Sequence, residues 1–158
     1  MRNDEIIIHY YKKAVIGLNE NILDDKDLWH SYVINSPIHL QTVYNVVTFH
    51  HQVFNGGLHQ YFFNSYGQFA YLTVDNLKQI KAFESSNVLE KAISQVNIED
   101  FSIGEFRTKI FNRKLEKIAD FDEGLCNFLE LLDDEYDNLS EDLEQLLVDF
   151  IKNELNRT

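Results

Sequence analysis

Residues 38–57 read IHLQTVYNVVTFHHQVFNGG, and their pattern predicts the helix on which the rest of the domain is centred. Apolar side chains occupy most of the circumference of a helix over residues 38–54; they are Leu40, Val43, Tyr44, Val46, Val47, Phe49, Val53 and Phe54. A helix that is apolar all round is buried, and this segment is long for a strand. We therefore predict a buried central helix over residues 38–54. Asn55-Gly56-Gly57 then ends it, with Gly56 at a C-cap position that requires a positive φ.

Most of the remaining sequence repeats apolar residues at intervals of three and four, which is the helical period. Outside the central helix, we predict helices over residues 5–18, 58–66, 69–84 and 104–119, and one from Asp122 to Tyr136. Three further helices are predicted from their caps. The first is capped by Asp24 or Asp25 and ends before Pro37, the second is capped by Ser86, and the third is capped by Ser140. With one Pro and six Gly, the chain has too few turn residues for a loop-rich design. The sequence predicts a single compact all-α domain over residues 1–158.

The chain carries 26 Asp and Glu residues against 14 Lys and Arg, a formal net charge of −12. Proteins that bind nucleic acids or anionic membranes normally carry the opposite sign, because they must neutralise phosphates. Direct binding to DNA, RNA or membranes is therefore disfavoured, whereas a basic partner, a metal, a neutral substrate or mere solubility fits the charge. The single cysteine allows no internal disulfide, and no apolar stretch approaches the ~18 residues of a membrane span, so a cytoplasmic location is the default.

The negative charge is concentrated in the second half of the chain. Residues 1–80 hold 7 acidic and 5 basic side chains, whereas residues 81–158 hold 19 acidic and 9 basic ones. Between residues 118 and 151 there are 12 acidic residues and no Lys or Arg. A surface that serves only solubility would normally include lysines, so we predict that a basic partner binds here. The predicted partner-binding residues are Asp122, Glu123, Glu130, Asp133, Asp134, Asp137, Glu141, Asp142 and Asp149.

Four of these acids share one helix face, because they are separated by seven, four and three positions; they are Glu123, Glu130, Asp134 and Asp137. Helix neighbours at such spacings lie about 5–6 Å apart at Cβ, which is of the order of the separation between backbone phosphates. This face can imitate DNA, or it can be the ordinary solvated face of a soluble helix. Calcium binding is disfavoured, because residues 133–142 lack the ligand spacing and central Gly of a calcium loop.

Residues 55–67 read NGGLHQYFFNSYG and form the most distinctive string in the chain. The glycines lack the lysine and the spacing of a phosphate-binding loop. His59, Tyr61 and Ser65 could supply a base, an acid and a nucleophile, but the segment has no Asp or Glu to orient His59. We favour a structural role, in which polar side chains satisfy backbone groups at two helix ends. The residues of this motif are Asn55, Gly56, Gly57, Gln60, Tyr61, Phe62, Asn64, Ser65 and Gly67.

The same string resembles the N-G-G-x-x-Q-Y-F-x-N-S-x-G signature of a bacterial family that includes DNA-mimic proteins first described as acidic inhibitors of a repressor. A weaker resemblance extends to residues 132–153, so that most of the chain is covered. The resemblance implies an all-α fold. The studied DNA mimic of that family occupies the DNA-binding face of a helix-turn-helix regulator, and the resemblance therefore implies a basic DNA-binding protein as the partner.

Other classes of function remain open from the sequence. An immunity-type protein, or another interaction module, would use the same acidic surface without imitating DNA. A hydrolase would use His59 and Ser65, and a long-range metal site would combine His9, His50 and a carboxylate. No two histidines have the spacing of three or four that a helical zinc site needs. We predict no catalytic residue, no metal and no cofactor, and we leave a homodimer open.

Overall fold

The computed structural model describes residues 1–157, and every regular element in this part of the chain is a helix. The α-helices are α1 (Asn3–Val15), α2 (Glu20–Leu23), α3 (Lys26–Asn35), α4 (Ile38–Phe63), α5 (Ala70–Gln79), α6 (Phe83–Val96), α7 (Ile103–Phe111), α8 (Glu116–Ala119), α9 (Glu123–Asp137) and α10 (Leu143–Leu155). A 3-10 helix, η1 (Tyr66–Phe69), connects α4 to α5. The all-α prediction is confirmed. No helix in residues 1–157 has the length and apolar character needed to cross a bilayer.

Helix α4 lies at the centre of the molecule, and α1, α5, α9 and η1 pack around it. Its Val43 and Phe49 are completely buried, as the apolar pattern predicts, whereas Phe54, which the same pattern places in the core, is 67% exposed. The helix also buries polar side chains, which satisfy one another across the interface with α5. Asn45 donates to Asn76 of α5 over 2.8 Å, and Asn76 donates to Gln41 over 3.2 Å. Both helices are therefore held by a small polar network inside the apolar core.

Helix α4 does not end at the two glycines but bends there and continues to Phe63. Gly57 has φ 85° and ψ 176°, and it is the glycine with a positive φ in residues 1–157. The assignment of the positive φ to Gly56 was therefore wrong by one residue. The segment predicted as a separate helix over residues 58–66 is not separate: its first part is the second arm of α4, which ends at Phe63, and Tyr66 already belongs to η1. Its first peptide N–H, that of Leu58, donates to Asp133 Oδ1 over 2.8 Å.

Two other predicted helices are divided by residues with a positive φ, which cannot continue an α-helix. Lys81 (φ 70°) separates α5 from α6 within the segment predicted as one helix over residues 69–84, and α6 begins three residues before Ser86. Arg113 (φ 54°) divides the helix predicted over residues 104–119 into α7 and α8. The apolar spacing continues across both breaks, and this continuity concealed them in the sequence.

The predicted N-caps are correct at the starts of α3 and α9 and wrong at the starts of α6 and α10. Ser86 lies inside α6, whose N-cap is Ala82. Asp25 caps α3 and Asp122 caps α9, each by accepting backbone N–H groups of the first turn. Helix α10 is capped by Asp142 and not by Ser140. Ser140 instead donates to the carboxylate of Glu84 in α6 over 3.0 Å. The connection from α9 to α10 is thereby attached to the start of α6.

Replacing Gly57 by alanine should destabilise the protein, because the backbone conformation of this residue is nearly restricted to glycine. Such strain costs about 1–3 kcal/mol, and the added Cβ would lie 2.5 Å from Asp133 Oδ2. Gly104→Ala is the matched control, since no atom lies within 4 Å of its added Cβ. Urea denaturation followed by circular dichroism should give a lower midpoint for Gly57→Ala only. Equal midpoints for the two variants would show that the bend does not depend on Gly57.

Candidate functional site

Helix α9 carries most of the predicted partner-binding residues and is strongly amphipathic. Asp122 begins it by accepting the N–H of Leu125 over 2.9 Å. Its apolar stripe is buried against α4 and α6. The stripe consists of Leu125, Leu129, Leu132 and Tyr136. Burial of this stripe fixes the rotation of the helix about its axis, and the opposite side is therefore held toward solvent.

The solvent side of α9 carries the four acids that the sequence places on one face, and we call this set the acidic face. It comprises Glu123, Glu130, Asp134 and Asp137, all of them exposed. Within residues 1–157, none of these four carboxylates forms an ion pair or accepts a hydrogen bond. Glu135 on the flank of the helix does pair, with Lys91 of α6 over 2.9 Å. The acidic face therefore presents charge that no basic side chain of the described chain neutralises.

Three other predicted residues have local structural roles. Asp122 and Asp142 are N-caps, and carboxylates at this position are stabilised by the helix dipole. Asp149 accepts a hydrogen bond from Gln145 Nε2 one turn earlier in α10, over 2.8 Å. Asp142 and Asp149 remain exposed, so they still add negative charge to the surface. Their presence is nevertheless explained by helix stability as well as by partner binding.

Glu141 is committed to hydrogen bonds inside the protein. Its carboxylate accepts the N–H groups of Glu84 and Ser85 at the start of α6, each over 2.9 Å, and also the Ser85 hydroxyl. Ser140 returns a hydrogen bond to Glu84, so the contact works like a capping box formed between distant segments. Helix α6 needs this cap because Ala82 at its N-cap has no side-chain acceptor.

Asp133 of α9 is half-buried against the bend of α4, and its pKa is raised. Its Oδ1 accepts the N–H of Leu58, while its Oδ2 faces Gly57. The pKa of Asp133 is raised to about 6. Burial is the largest cause, the Leu58 hydrogen bond opposes the shift, and the neighbouring carboxylates of α9 add to it. Asp133 therefore holds α4 and α9 together, and it lies beside the acidic face rather than on it.

The side chains of the Asn-Gly-Gly motif make internal contacts, in keeping with a structural role. Gln60 and Asn64 both donate to the side-chain oxygen of Gln52, each over 3.1 Å, across the bend of α4. Phe62 is completely buried, and Gly67 packs against it so closely that an added Cβ would lie 2.8 Å from the Phe62 Cα. These contacts set the direction of the second arm of α4 and of the turn into η1.

His59 and Ser65 do not contact each other as a catalytic pair would. His59 Nε2 lies 3.0 Å from the carbonyl oxygen of Ile118, and the Ser65 hydroxyl donates to the carbonyl of Phe111 over 3.4 Å. His50, considered for a long-range metal site, has its Nδ1 2.8 Å from the Tyr136 hydroxyl. Within residues 1–157, no group of three or more His, Cys, Asp or Glu side chains is arranged to hold a metal ion.

An aromatic cluster next to the start of α9 was not predicted from the sequence. The rings of His59, Phe63 and Phe121 lie with centroids 4.4 to 5.9 Å apart, and the Arg113 guanidinium lies 4.6 Å from the centroid of Phe63. Phe121 is 58% exposed and immediately precedes Asp122. The feature of the sequence that could have indicated this cluster is the position of Phe121, which lies between two acidic residues and outside the helical spacing of apolar residues. Exposed aromatic residues beside charged surfaces are typical anchors of protein interfaces.

A family model described as DMP19-like protein matches residues 35–154, which contain α4 through α9 and nearly all of α10. The chain belongs to the DMP19-like family. This match supports a family of DNA mimics, and the predicted resemblance to such a family is confirmed to that extent. The region that matches the DMP19-like family includes the whole acidic face, whereas α1 and α2 lie outside it. Searches of curated proteins and of solved structures found no match.

Removal of the Glu141 carboxylate should destabilise the protein without changing the acidic face. Loss of the cap in Glu141→Ala leaves the N–H groups of Glu84 and Ser85 unpaired, and we expect a cost of about 1–3 kcal/mol. Asp134→Ala is the matched control, because it removes an exposed carboxylate that has no internal partner. Thermal or urea unfolding should separate the two variants. Equal stability would contradict the capping role of Glu141.

Asp133→Asn should change the pH dependence of stability. A folded pKa of about 6 exceeds the ~3.9 of an unfolded aspartate, so the folded state holds more protons and the wild type loses stability as pH rises from about 4 to 6. Asparagine keeps an oxygen acceptor for the Leu58 N–H but carries no charge. The stability of the variant relative to wild type should therefore increase across this range.

Urea midpoints measured between pH 4 and 7.5 test this expectation. Asp120→Asn serves as the control for the loss of one negative charge from the surface. If the stability difference between wild type and Asp133→Asn stays constant with pH, Asp133 does not titrate as its burial requires.

Proposed function

We propose that this protein binds the basic DNA-reading surface of a DNA-binding protein, such as a helix-turn-helix regulator, and thereby excludes DNA from it. The observation that carries the proposal is the acidic face of α9, whose four exposed carboxylates have no basic partner within residues 1–157. Membership in the DMP19-like family of DNA mimics supports the same function.

The electrostatic argument starts from the cost of the acidic face. Like charges at three- and four-residue spacings destabilise a helix by a few tenths of a kcal/mol per pair. A basic surface that neutralises DNA phosphates would also neutralise these carboxylates, because their spacing of about 5–6 Å is comparable with that of the phosphates. Binding would thus replace repulsion within α9 by attraction to the partner.

The exposed ring of Phe121 adds a feature that a phosphate array lacks. It lies at the N-terminal end of α9 and can contact an apolar part of the partner, while the acidic face contacts its basic groups. Charges at an interface mainly accelerate association, whereas buried aromatic anchors contribute much of the affinity. In this proposal the protein has no enzymatic activity, and it acts in the cytoplasm, where DNA-binding regulators are found.

Charge reversal on the acidic face should slow association with the partner. We expect Glu130→Lys/Asp134→Lys to lower the association rate constant by about tenfold or more at low salt, with a smaller effect on dissociation. The matched control is Glu99→Lys/Glu116→Lys, which changes the net charge equally at exposed positions outside α9. Both variants should fold with stabilities within about 0.5 kcal/mol of wild type.

The partner is first captured from the native cell with wild type and each double variant as bait, and it is identified by mass spectrometry after elution at high salt. Surface plasmon resonance then gives the rate constants, and a gel shift tests competition with the partner's DNA. The proposal expects that the protein displaces DNA and that only the variant in α9 fails to do so. A ternary complex of partner, DNA and protein would contradict DNA mimicry and favour an interaction module of another kind.

A further inference from the structure

A groove runs along the side of α1, between that helix, the middle of α4 and the start of α10. It consists of two adjoining cavities of about 470 and 420 Å³ that share Ile7, Val47, His51 and Glu144. Each volume falls within the range of about 300–1,000 Å³ that is typical of binding sites. The groove is separate from the acidic face, because no residue of α9 lines it.

The wall formed by α1 has the length and period of a helix-binding groove. The α1 residues that line it follow the spacing i, i+3, i+4, i+7, i+8, i+11; they are Asp4, Ile7, Ile8, Tyr11, Lys12 and Val15. At about 1.5 Å per residue, this stripe is about 16 Å long, or three helical turns. Amphipathic helices bind in such grooves through apolar residues repeated at the same spacing.

The floor of the groove is apolar, and part of it is left open to solvent. Val46, Val47 and Leu147 form the base and are buried, whereas Ile8 on the α1 side is 52% exposed. Helix α1 thus has apolar side chains on a side that no other helix of residues 1–157 fully covers. Apolar patches of this kind mark interaction sites when polar residues surround them.

The charges around the groove determine which occupant fits. Four carboxylates line it, those of Asp4, Glu141, Asp142 and Glu144, against the single ammonium group of Lys12. Asp4 pairs with Arg2 over 3.3 Å, and Glu141 and Asp142 are engaged in caps, whereas Glu144 is exposed and has no ion pair within residues 1–157. An apolar floor with an acidic rim is complementary to a helix that has apolar residues on one side and Lys or Arg on its flanks.

We infer that this groove binds a basic amphipathic helix of the partner protein. The inference rests on the proposed function, because it assumes a basic partner. It adds that a helix of this partner binds in the groove, away from the acidic face. A second copy of this chain is a poor occupant, since both copies carry a net charge of −12 and the groove is itself acidic. Helix α1 lies outside residues 35–154, so one wall of the groove lies beyond the region that matches the family, whereas the walls formed by α4 and α10 lie within it.

The test uses a synthetic 18-residue helical peptide of leucine and lysine, with leucine at the spacing i, i+3, i+4, i+7. Amide chemical shifts of the isotope-labelled full-length protein locate the site, and titration calorimetry gives the affinity. We expect shifts at Ile7, Ile8, Val15 and Val47. Two control peptides keep the design and change one property each: alanine replaces leucine in the first, and glutamate replaces lysine in the second. Both should bind at least tenfold more weakly.

Variants of the protein assign the two parts of the interaction. Ile8→Gln removes an apolar group of the groove, and we expect the peptide to bind about five- to tenfold more weakly. Ile16→Gln is the matched control, because Ile16 is 86% exposed and does not line the groove. Glu144→Gln should weaken binding severalfold at low salt and have less effect at high salt.

Three outcomes would overturn the inference. The first is that the peptide shifts residues of the acidic face and leaves the groove unchanged. The second is that the alanine peptide binds as well as the leucine peptide, since charge alone would then suffice. The third is that the protein self-associates and Ile8→Gln abolishes this, because the occupant would then be a second copy. None of these results affects the charge reversal in α9, so failure of this inference and failure of the proposed function are distinguishable.

Discussion

The carboxylate of Asp133 in α9 contacts the backbone of α4 at Gly57, and the geometry of the molecule depends on this contact. Glycine leaves room for the carboxylate, and the bend exposes the N–H of Leu58 that the carboxylate accepts. The central helix can therefore change direction without leaving a buried donor unpaired. The contact also fixes α9 along α4, which sets the direction in which the acidic face points. The charge pattern assigns Asp133 to the surface, but its hydrogen bond to Leu58 connects the two helices.

The acidic residues of the second half of the chain include two groups that differ in their contacts. Some are used by the fold: Asp122 and Asp142 begin helices, Glu141 caps α6 from a distance, and Asp133 joins α9 to α4. The four carboxylates of the acidic face form no ion pair and accept no hydrogen bond within residues 1–157. The distinction matters for function, because only charges without a structural role are evidence for a partner.

The two groups of carboxylates also differ in their contribution to the stability of the fold. A carboxylate that accepts two or three N–H or O–H groups at a helix start stabilises the fold through charge-assisted hydrogen bonds. Carboxylates that face solvent side by side repel one another, and salt weakens that repulsion over a Debye length of about 8 Å. The molecule thus combines a well-capped helical scaffold with a surface that is less favourable alone than in contact with positive charge. A protein that binds to a basic DNA-binding surface needs both the stable scaffold and the unneutralised negative charge.

The helical class, the central helix and the amphipathic character of α9 could be predicted from the sequence, because they follow from local periodicity and from the length of the apolar segments. It also placed Glu123, Glu130, Asp134 and Asp137 on one face, since that requires only a continuous helix. The bend at Gly57 in place of a helix end, the breaks at Lys81 and Arg113, and the roles of Asp133 and Glu141 were not predicted and are seen only in the folded structure. The roles of Asp133 and Glu141 depend on groups distant in sequence, namely the N–H of Leu58 and the start of α6. The breaks at Lys81 and Arg113 are local turns, which the continuous apolar spacing does not reveal. Local patterns carry no information about which donor a carboxylate will meet across the core, and so the surface available to a partner could be identified only after folding had assigned the other acids to internal contacts.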